Sequence, residues 1–358
     1  MEIWNFSAGP GMLPKEVLIK AQKELRDWNG LGVSVMEMSH RSAKFEELAV
    51  QIKNNLRALL NLPSDFEIIF SSGGAQAHFA LLPMNLLNSN EVAAYLISGY
   101  WSAKAATEAK RFAQIEIAAD ARDYDVCSLP KTEDWNIPDC AKYLHYATNE
   151  TIDGLQLHQV PSLNIPLIAD MSSDFLSAPI EDFSPFEVIY ASAQKNIGAA
   201  GLTVILIRKT CLKSSAQKLP KVFEYQNLAM TSSMPNTPPT YIWYLTGLVL
   251  EWLEKQGGTN AIALRNQEKA HLLYETIDSS SLYLNRVEKK YRSVMNVIFD
   301  LPTPELVKKF LDGAESEGLL GLKGHKARGG IRASIYNAMP LEGVEALVKF
   351  MKNFEAKN

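Results

Sequence analysis

Val188-Ile-Tyr-Ala-Ser-Ala-Gln-Lys-Asn-Ile-Gly198, continuing into Ala199-Ala-Gly-Leu-Thr-Val204, is the stretch on which the reading of this chain turns. Its first residues are apolar without alternation, the signature of a strand covered on both faces in a largely parallel sheet. Such a strand delivers Lys195 to the carboxyl end of the sheet, the edge where open α/β folds take their ligands. Small residues and glycines on either side let a ligand approach the backbone closely. A lysine held there can give up its proton and form an imine with an aldehyde. A surface lysine in a loop after a strand has the same local sequence, so the meaning of Lys195 depends on what other segments bring to that edge.

One strand upstream, Pro166-Leu-Ile-Ala-Asp-Met-Ser-Ser173 again ends an apolar run in a charged residue, Asp170. A carboxylate here can keep a pyridinium nitrogen protonated, although an Asp after a strand more often caps a turn or a helix. Phe70-Ser-Ser-Gly-Gly-Ala-Gln-Ala-His78 reads as strand, glycine turn and helix, and amides at such a helix start, around Ala75 and Gln76, bind phosphate. The segment lacks both the Gly-x-Gly-x-x-Gly spacing and a P-loop lysine, and a plain glycine turn fits it equally well. Trp101, in Ser98-Gly-Tyr-Trp-Ser102, opens the next helix at the same edge, where its ring can stack on a ligand or simply fill the core. Thr151, in Asn149-Glu-Thr-Ile-Asp-Gly154, follows another strand and can donate to a phenolic oxygen, while Asp153-Gly154 also reads as a simple turn.

Around these motifs the elements alternate. Pro14 opens a helix with Val17, Leu18, Ala21 and Leu25 at helical spacing, and Phe45, Leu48, Ile52, Leu56 and Leu59 form the stripe of a second. Strands are expected at 67–70, 92–97, 114–118, 143–147, 167–170, 188–191 and 202–207, with helices between them. The pattern is that of an α/β large domain, residues 1–256, built on a seven-stranded, mainly parallel sheet. Beyond Gly257 the order changes to a helix at 260–277, a strand at 294–299, a helix capped by Thr303 and started by Pro304, a strand at 331–335 and a last helix. Residues 257–358 are therefore expected to form a small α+β domain, with residues 1–15 packing against it.

Of the 358 residues, 47% are hydrophobic and 21% charged, with net charge −4, so nothing draws the chain to nucleic acid or to anionic membranes. Cys127, Cys140 and Cys211 show no metal-ligand spacing, which argues against a disulfide framework and against a metal site. The N-terminus has no basic segment followed by an apolar one, and the longest apolar run, 241–250, is too short for a bilayer. The expectation is a soluble cytoplasmic protein.

Taken in order, Asn5-Phe-Ser-Ala-Gly-Pro10, Met36-Glu-Met-Ser-His-Arg41, Gly99-Tyr-Trp101, Asn149-Glu-Thr-Ile-Asp-Gly154, Ala193-Gln-Lys-Asn-Ile-Gly198, Asn236-Thr-Pro-Pro-Thr240, Gly321-Leu-Lys-Gly-His325 and Gly330-Ile-Arg-Ala-Ser-Ile-Tyr-Asn337 cover essentially the whole chain. In this order they resemble the class V, fold-type I pyridoxal-phosphate aminotransferases. The resemblance implies that Lys195 carries pyridoxal 5′-phosphate covalently, that Asp170 faces its pyridine nitrogen and that Trp101 stacks on its ring. Thr151, Gln194 and the turn at Ala75-Gln76 would complete the cofactor site, and Asn236 and Thr237 would reach the cofactor phosphate of the neighbouring subunit in a homodimer. It implies further that Arg332 binds the substrate α-carboxylate. His40-Arg41 and His325-Lys326 would take a side-chain phosphate, the second pair coming from the partner chain.

The implied reaction is amino transfer from L-glutamate to 3-phosphohydroxypyruvate, giving O-phospho-L-serine and 2-oxoglutarate. A phosphorylated hydroxythreonine precursor of vitamin B6 would meet the same chemistry. Lys326 stands where some family members carry arginine, which keeps the charge and loses the planar fork, and Gln76 stands at a turn position that is arginine in others. An alanine–glyoxylate or serine–pyruvate aminotransferase would share Lys195 and Asp170 but lack the two phosphate-directed pairs. A cysteine desulfurase would need a cysteine beyond Cys211. The cofactor-binding module of a regulator would need a DNA-binding segment that this sequence does not show.

Overall fold

The computed structural model describes residues 2–123, 128–213 and 217–358. Its centre is a seven-stranded sheet of β1 (Phe66–Ser72), β2 (Val92–Ile97), β3 (Gln114–Asp120), β4 (Ala141–Ala147), β5 (Leu167–Asp170), β6 (Phe186–Ser192) and β7 (Leu202–Arg208). The spatial order is β1-β7-β6-β5-β4-β2-β3, and every neighbouring pair is parallel except the two that involve β7. The reversal follows from chain length. The connection from Ser192 to Leu202 is too short for a crossover, so β7 returns directly beside β6 with Thr203 opposite Ser192. The result is an α/β fold in which the carboxyl ends of β1, β2, β4, β5 and β6 share one edge.

Helices cover both faces because the strands are apolar on both. One face, with Leu144, Ala169, Ile189 and Val204, packs under α2 (Ala43–Leu60) and α6 (Thr240–Lys255). The other, with Tyr95, Ile168, Val188, Tyr190 and Ile205, lies against α3 (Gln76–Leu86), α4 (Tyr100–Ala109) and α5 (Tyr225–Met230). The sequence sets the limits of α2 locally. Ser42 Oγ accepts from the Phe45 N–H, and Asn61 stops the helix in the left-handed conformation. In α1 (Lys15–Glu24) Val17 and Ala21 are buried, whereas Leu18 stays half exposed.

A second core lies towards the C-terminus. There β8 (Asn296–Phe299) pairs antiparallel with β9 (Ile331–Ser334), and Phe299, Phe310, Phe350 and Phe354 interlock edge to face between the strands and helices α8 (Pro304–Ser316) and α9 (Leu341–Glu355). Phe6 is buried in this core, next to Trp4–Asn5, which pair in parallel with Leu319–Leu320. Helix α7 (Gly258–Asp278) serves both cores, with Ile262 in the first and Ala270, Leu273 and Ile277 in the second. Among the described residues no helix is long and apolar enough to cross a membrane. Cys140 is exposed and Cys211 partly buried, neither in a disulfide, and Cys127 lies outside the described residues.

Candidate active site

At the carboxyl edge of the sheet, a cleft of about 690 Å3 opens between the large sheet and the β8–β9 layer. Lys195 lies in it, just past β6. Burial pushes its pKa below the usual lysine value, and the carboxylates of Asp170, Asp174 and Glu150 partly oppose that shift. Asp170, the last residue of β5, is 8% exposed and accepts the Ser172 N–H at 2.9 Å. Burial raises its pKa, and Ser172, Lys195 and Tyr190 pull it back.

Trp101 stands in the first turn of α4 and donates its Nε1–H to Thr151 Oγ1 at 2.9 Å. The helix start that carries it is held by a residue for which sequence reasoning gave no role. Fully buried Glu150 accepts the Trp101 N–H at 2.9 Å, the Ser102 N–H at 2.8 Å and the Ser102 hydroxyl at 2.6 Å. Burial, with the Asp153 charge beside it, pushes the Glu150 carboxyl up to about 7. The only local signal was an acid between a buried strand and a turn.

Arg332 reaches the cleft from β9 and donates through NH1 to the Thr151 carbonyl at 3.0 Å, while its buried Nε has no partner among the described residues. Gln194 lines the same cleft, its buried Oε1 without a partner among the described residues, and its carbonyl accepts the Gly11 N–H at 2.7 Å. At the start of α3 the Ala75 N–H is taken by Ser192 Oγ at 2.7 Å. The amides of Gly74 and Gln76 have no acceptor among the described residues. The Gln76 side chain, exposed, turns to Lys104 Nζ at 2.7 Å.

The two basic pairs lie apart in the chain's own structure. His325 lines the cleft of its own chain, its ring 5.3 Å from that of Tyr100. A bridge between Lys323 and Ile331 keeps the short loop that carries it near Arg332. Lys326 is exposed and does not line the cleft. His40 and Arg41 lie outside it, in a separate depression of about 450 Å3 shared with Thr231, Ser232, Met234 and Pro235. Asn236 and Thr237 follow directly, exposed in the turn before α6.

The model of the family described as aminotransferase class-V matches residues 3–347. The phosphoserine aminotransferase of Pseudomonas paraeruginosa is 50% identical over 353 residues, 98% of either chain. That of Acinetobacter baumannii is 49% identical over 359 residues, the full length of both. Among solved structures, phosphoserine aminotransferase from Bacillus circulans subsp. alkalophilus superposes with a TM-score of 0.97 at 42% identity, covering 99% of each chain. The PLP-bound phosphoserine aminotransferase from Trichomonas vaginalis gives 0.95 at 38%, covering 98% of this chain and 100% of its own. An alanine–glyoxylate aminotransferase from Nostoc sp., at 18% identity and a TM-score of 0.74, shares the fold alone. With its sheet order, its cleft and its matching over nearly the whole length, the chain belongs to the class-V aminotransferase family.

Proposed function

We propose that this chain is a phosphoserine aminotransferase that uses pyridoxal 5′-phosphate to move the amino group of L-glutamate to 3-phosphohydroxypyruvate, giving O-phospho-L-serine and 2-oxoglutarate. The observation that carries the reading is the convergence of Lys195, Asp170, Trp101 and Arg332 on one cleft, in a chain whose relatives above bear the name phosphoserine aminotransferase. The cleft also fits the cofactor. It holds buried polar atoms without partners among the described residues, Gln194 Oε1, Asn149 Oδ1 and Arg332 Nε, that a polar ligand would satisfy. The free amides at the start of α3 suit a phosphate.

When bound, pyridoxal phosphate supplies an electron sink for the negative charge left at the substrate α-carbon. Lys195 would hold its aldehyde carbon, and its lowered pKa favours the neutral amine that such a bond requires. Freed by the substrate amine, the same Nζ would take the proton from the α-carbon and deliver it to the carbon that had been the cofactor's aldehyde. Asp170 would keep the proton on the ring nitrogen. Thr151 Oγ1 already accepts from Trp101, so its own hydrogen is left to donate to the phenolic oxygen. With NH1 of Arg332 tied to Thr151, the Nε edge of the guanidinium remains for a side-on grip on the α-carboxylate.

The working unit in this reading is a homodimer. His40, Arg41, Asn236 and Thr237 lie together outside their own cleft, and a partner's cleft is where they would act. His325 and the partner's His40-Arg41 would bind the substrate phosphate, with Lys326 at the rim. A vitamin B6 precursor ending in a phosphate would meet the same donors. The test is steady-state transfer from L-glutamate to 3-phosphohydroxypyruvate against glyoxylate. A preference on the order of 100-fold in kcat/KM for the phosphorylated acid supports the reading, since two or more charged hydrogen bonds are at stake. Equal or better use of glyoxylate overturns it.

A further inference from the structure

Ser192, the last residue of β6, lines the cleft just before Lys195 and is 3% exposed. Its backbone is fixed twice, by pairing with Thr203 of β7 and by its N–H, which donates to Ser172 Oγ at 3.1 Å. Rigid structure therefore carries the hydroxyl to the start of α3, where Oγ accepts the Ala75 N–H at 2.7 Å. A Cβ added to Gly74 would meet the same oxygen at 3.7 Å.

Proton counting gives the hydroxyl a second task. Its oxygen carries one hydrogen, and accepting from Ala75 does not use it. That hydrogen has no acceptor among the described residues, and a buried donor left idle costs free energy unless a ligand or water takes it. Ala75 is the middle one of three consecutive residues at the helix start, and the amides of its neighbours Gly74 and Gln76 also lack acceptors among the described residues. An oxyanion held by those two amides has the middle one beside it, and the middle N–H can act on the anion only through this hydroxyl. Residues 192 and 195 are separated by a chain length of at most about 10 Å, so one ligand of pyridine size can meet Ser192 with its phosphate and Lys195 with its aldehyde.

We propose that Ser192 binds the cofactor phosphate, its hydroxyl relaying the Ala75 N–H to the anion as an O–H donor. The proposal rests on the cofactor reading given under Proposed function. Its test is the dissociation constants of pyridoxal phosphate and of pyridoxal, which lacks the phosphate, read by quenching of tryptophan fluorescence in cofactor-free wild type, Ser192→Ala, Ser192→Cys and Ser177→Ala. Ser192→Ala should weaken binding of pyridoxal phosphate about tenfold, the scale of one hydrogen bond to a charged group, and leave pyridoxal within about twofold of wild type. Ser192→Cys keeps the shape but offers only a weak donor, and should lose several-fold on the phosphorylated ligand alone. Ser177→Ala removes a buried hydroxyl that donates to the Asp174 carbonyl outside the cleft, and should move neither constant. Unchanged binding of pyridoxal phosphate by Ser192→Ala overturns the proposal. So does equal weakening of both ligands, because a hydroxyl that only braces the start of α3 would act on both. Should Ser192→Ala fail to fold, the same comparison in Ser192→Cys decides alone. Failure of the wild type to bind pyridoxal phosphate overturns the cofactor reading and the proposal with it, an outcome distinct from wild-type binding that the variants leave unchanged.

Discussion

Lys269, only 2% exposed, donates to three backbone carbonyls, Ile335 at 2.9 Å, Tyr336 at 2.8 Å and Met339 at 2.9 Å, with no carboxylate partner among the described residues. Three acceptors require the three hydrogens of an ammonium. Replacing it by methionine keeps the length of the side chain and removes every donor. The Tyr336 carbonyl retains the Met339 N–H at 2.9 Å, but those of Ile335 and Met339 are left without a partner. Each buried orphan costs about 1–3 kcal/mol, and removing a buried charge refunds part of the sum, so Lys269→Met should lose about 3 kcal/mol. Urea unfolding of the apo protein at neutral pH measures this as a lower midpoint at unchanged slope.

The pH dependence of the same variant has a definite sign. Burial pushes Lys269 down from 10.5 to about 7, so between those values the unfolded chain binds more protons and wild-type stability rises with pH. The gap to Lys269→Met should therefore widen above pH 7. The effect reaches the cleft, because this turn follows Arg332 and its Asn337 N–H donates to Asn196 beside Lys195 at 3.0 Å. A Lys269→Met protein as stable as wild type at neutral pH would refute the reasoning, since burial of the ammonium would then outweigh its three bonds.

Glu150→Gln turns an amide towards donors that need an acceptor, and should cost about 2–4 kcal/mol in unfolding experiments and loosen Trp101. Folded Glu150 titrates near 7 against 4.5 unfolded, so wild-type stability should fall as pH rises through that window, and Glu150→Gln should flatten the fall. Arg332→Lys keeps the charge and loses the fork, so KM for L-glutamate should rise on the order of 100-fold while cofactor absorbance stays unchanged. Gly99→Ala would put a methyl 2.5 Å from Asp153 Oδ2 and 2.7 Å from Glu150 Cγ, and thermal unfolding should show a loss of about 1–3 kcal/mol.

The parts of the site that lie within a few residues of a strand end were legible in the sequence. Lys195, Asp170, Trp101 and Thr151 each follow an apolar run, and that pattern is enough to bring them to one edge. Parts that depend on which distant segments meet were not. The antiparallel β7 follows from a short connection that the strand pattern alone does not orient. Glu150 gains its meaning from α4, and Ser192 from the start of α3, pairings invisible along the chain. The division of the basic residues between two depressions was likewise beyond local reading, because it depends on where the loop at His325 and the turn at Asn236 come to rest.

Phosphate-directed amino transfer at Lys195 can be read from the absorption spectrum of the purified, cofactor-loaded protein, titrated separately with O-phospho-L-serine, L-glutamate and L-alanine. O-phospho-L-serine and L-glutamate should convert the bound cofactor to its amine form while L-alanine hardly does. A response to L-alanine equal to that with O-phospho-L-serine would contradict the substrate assignment, and a protein that takes up no pyridoxal phosphate would contradict the claim as a whole.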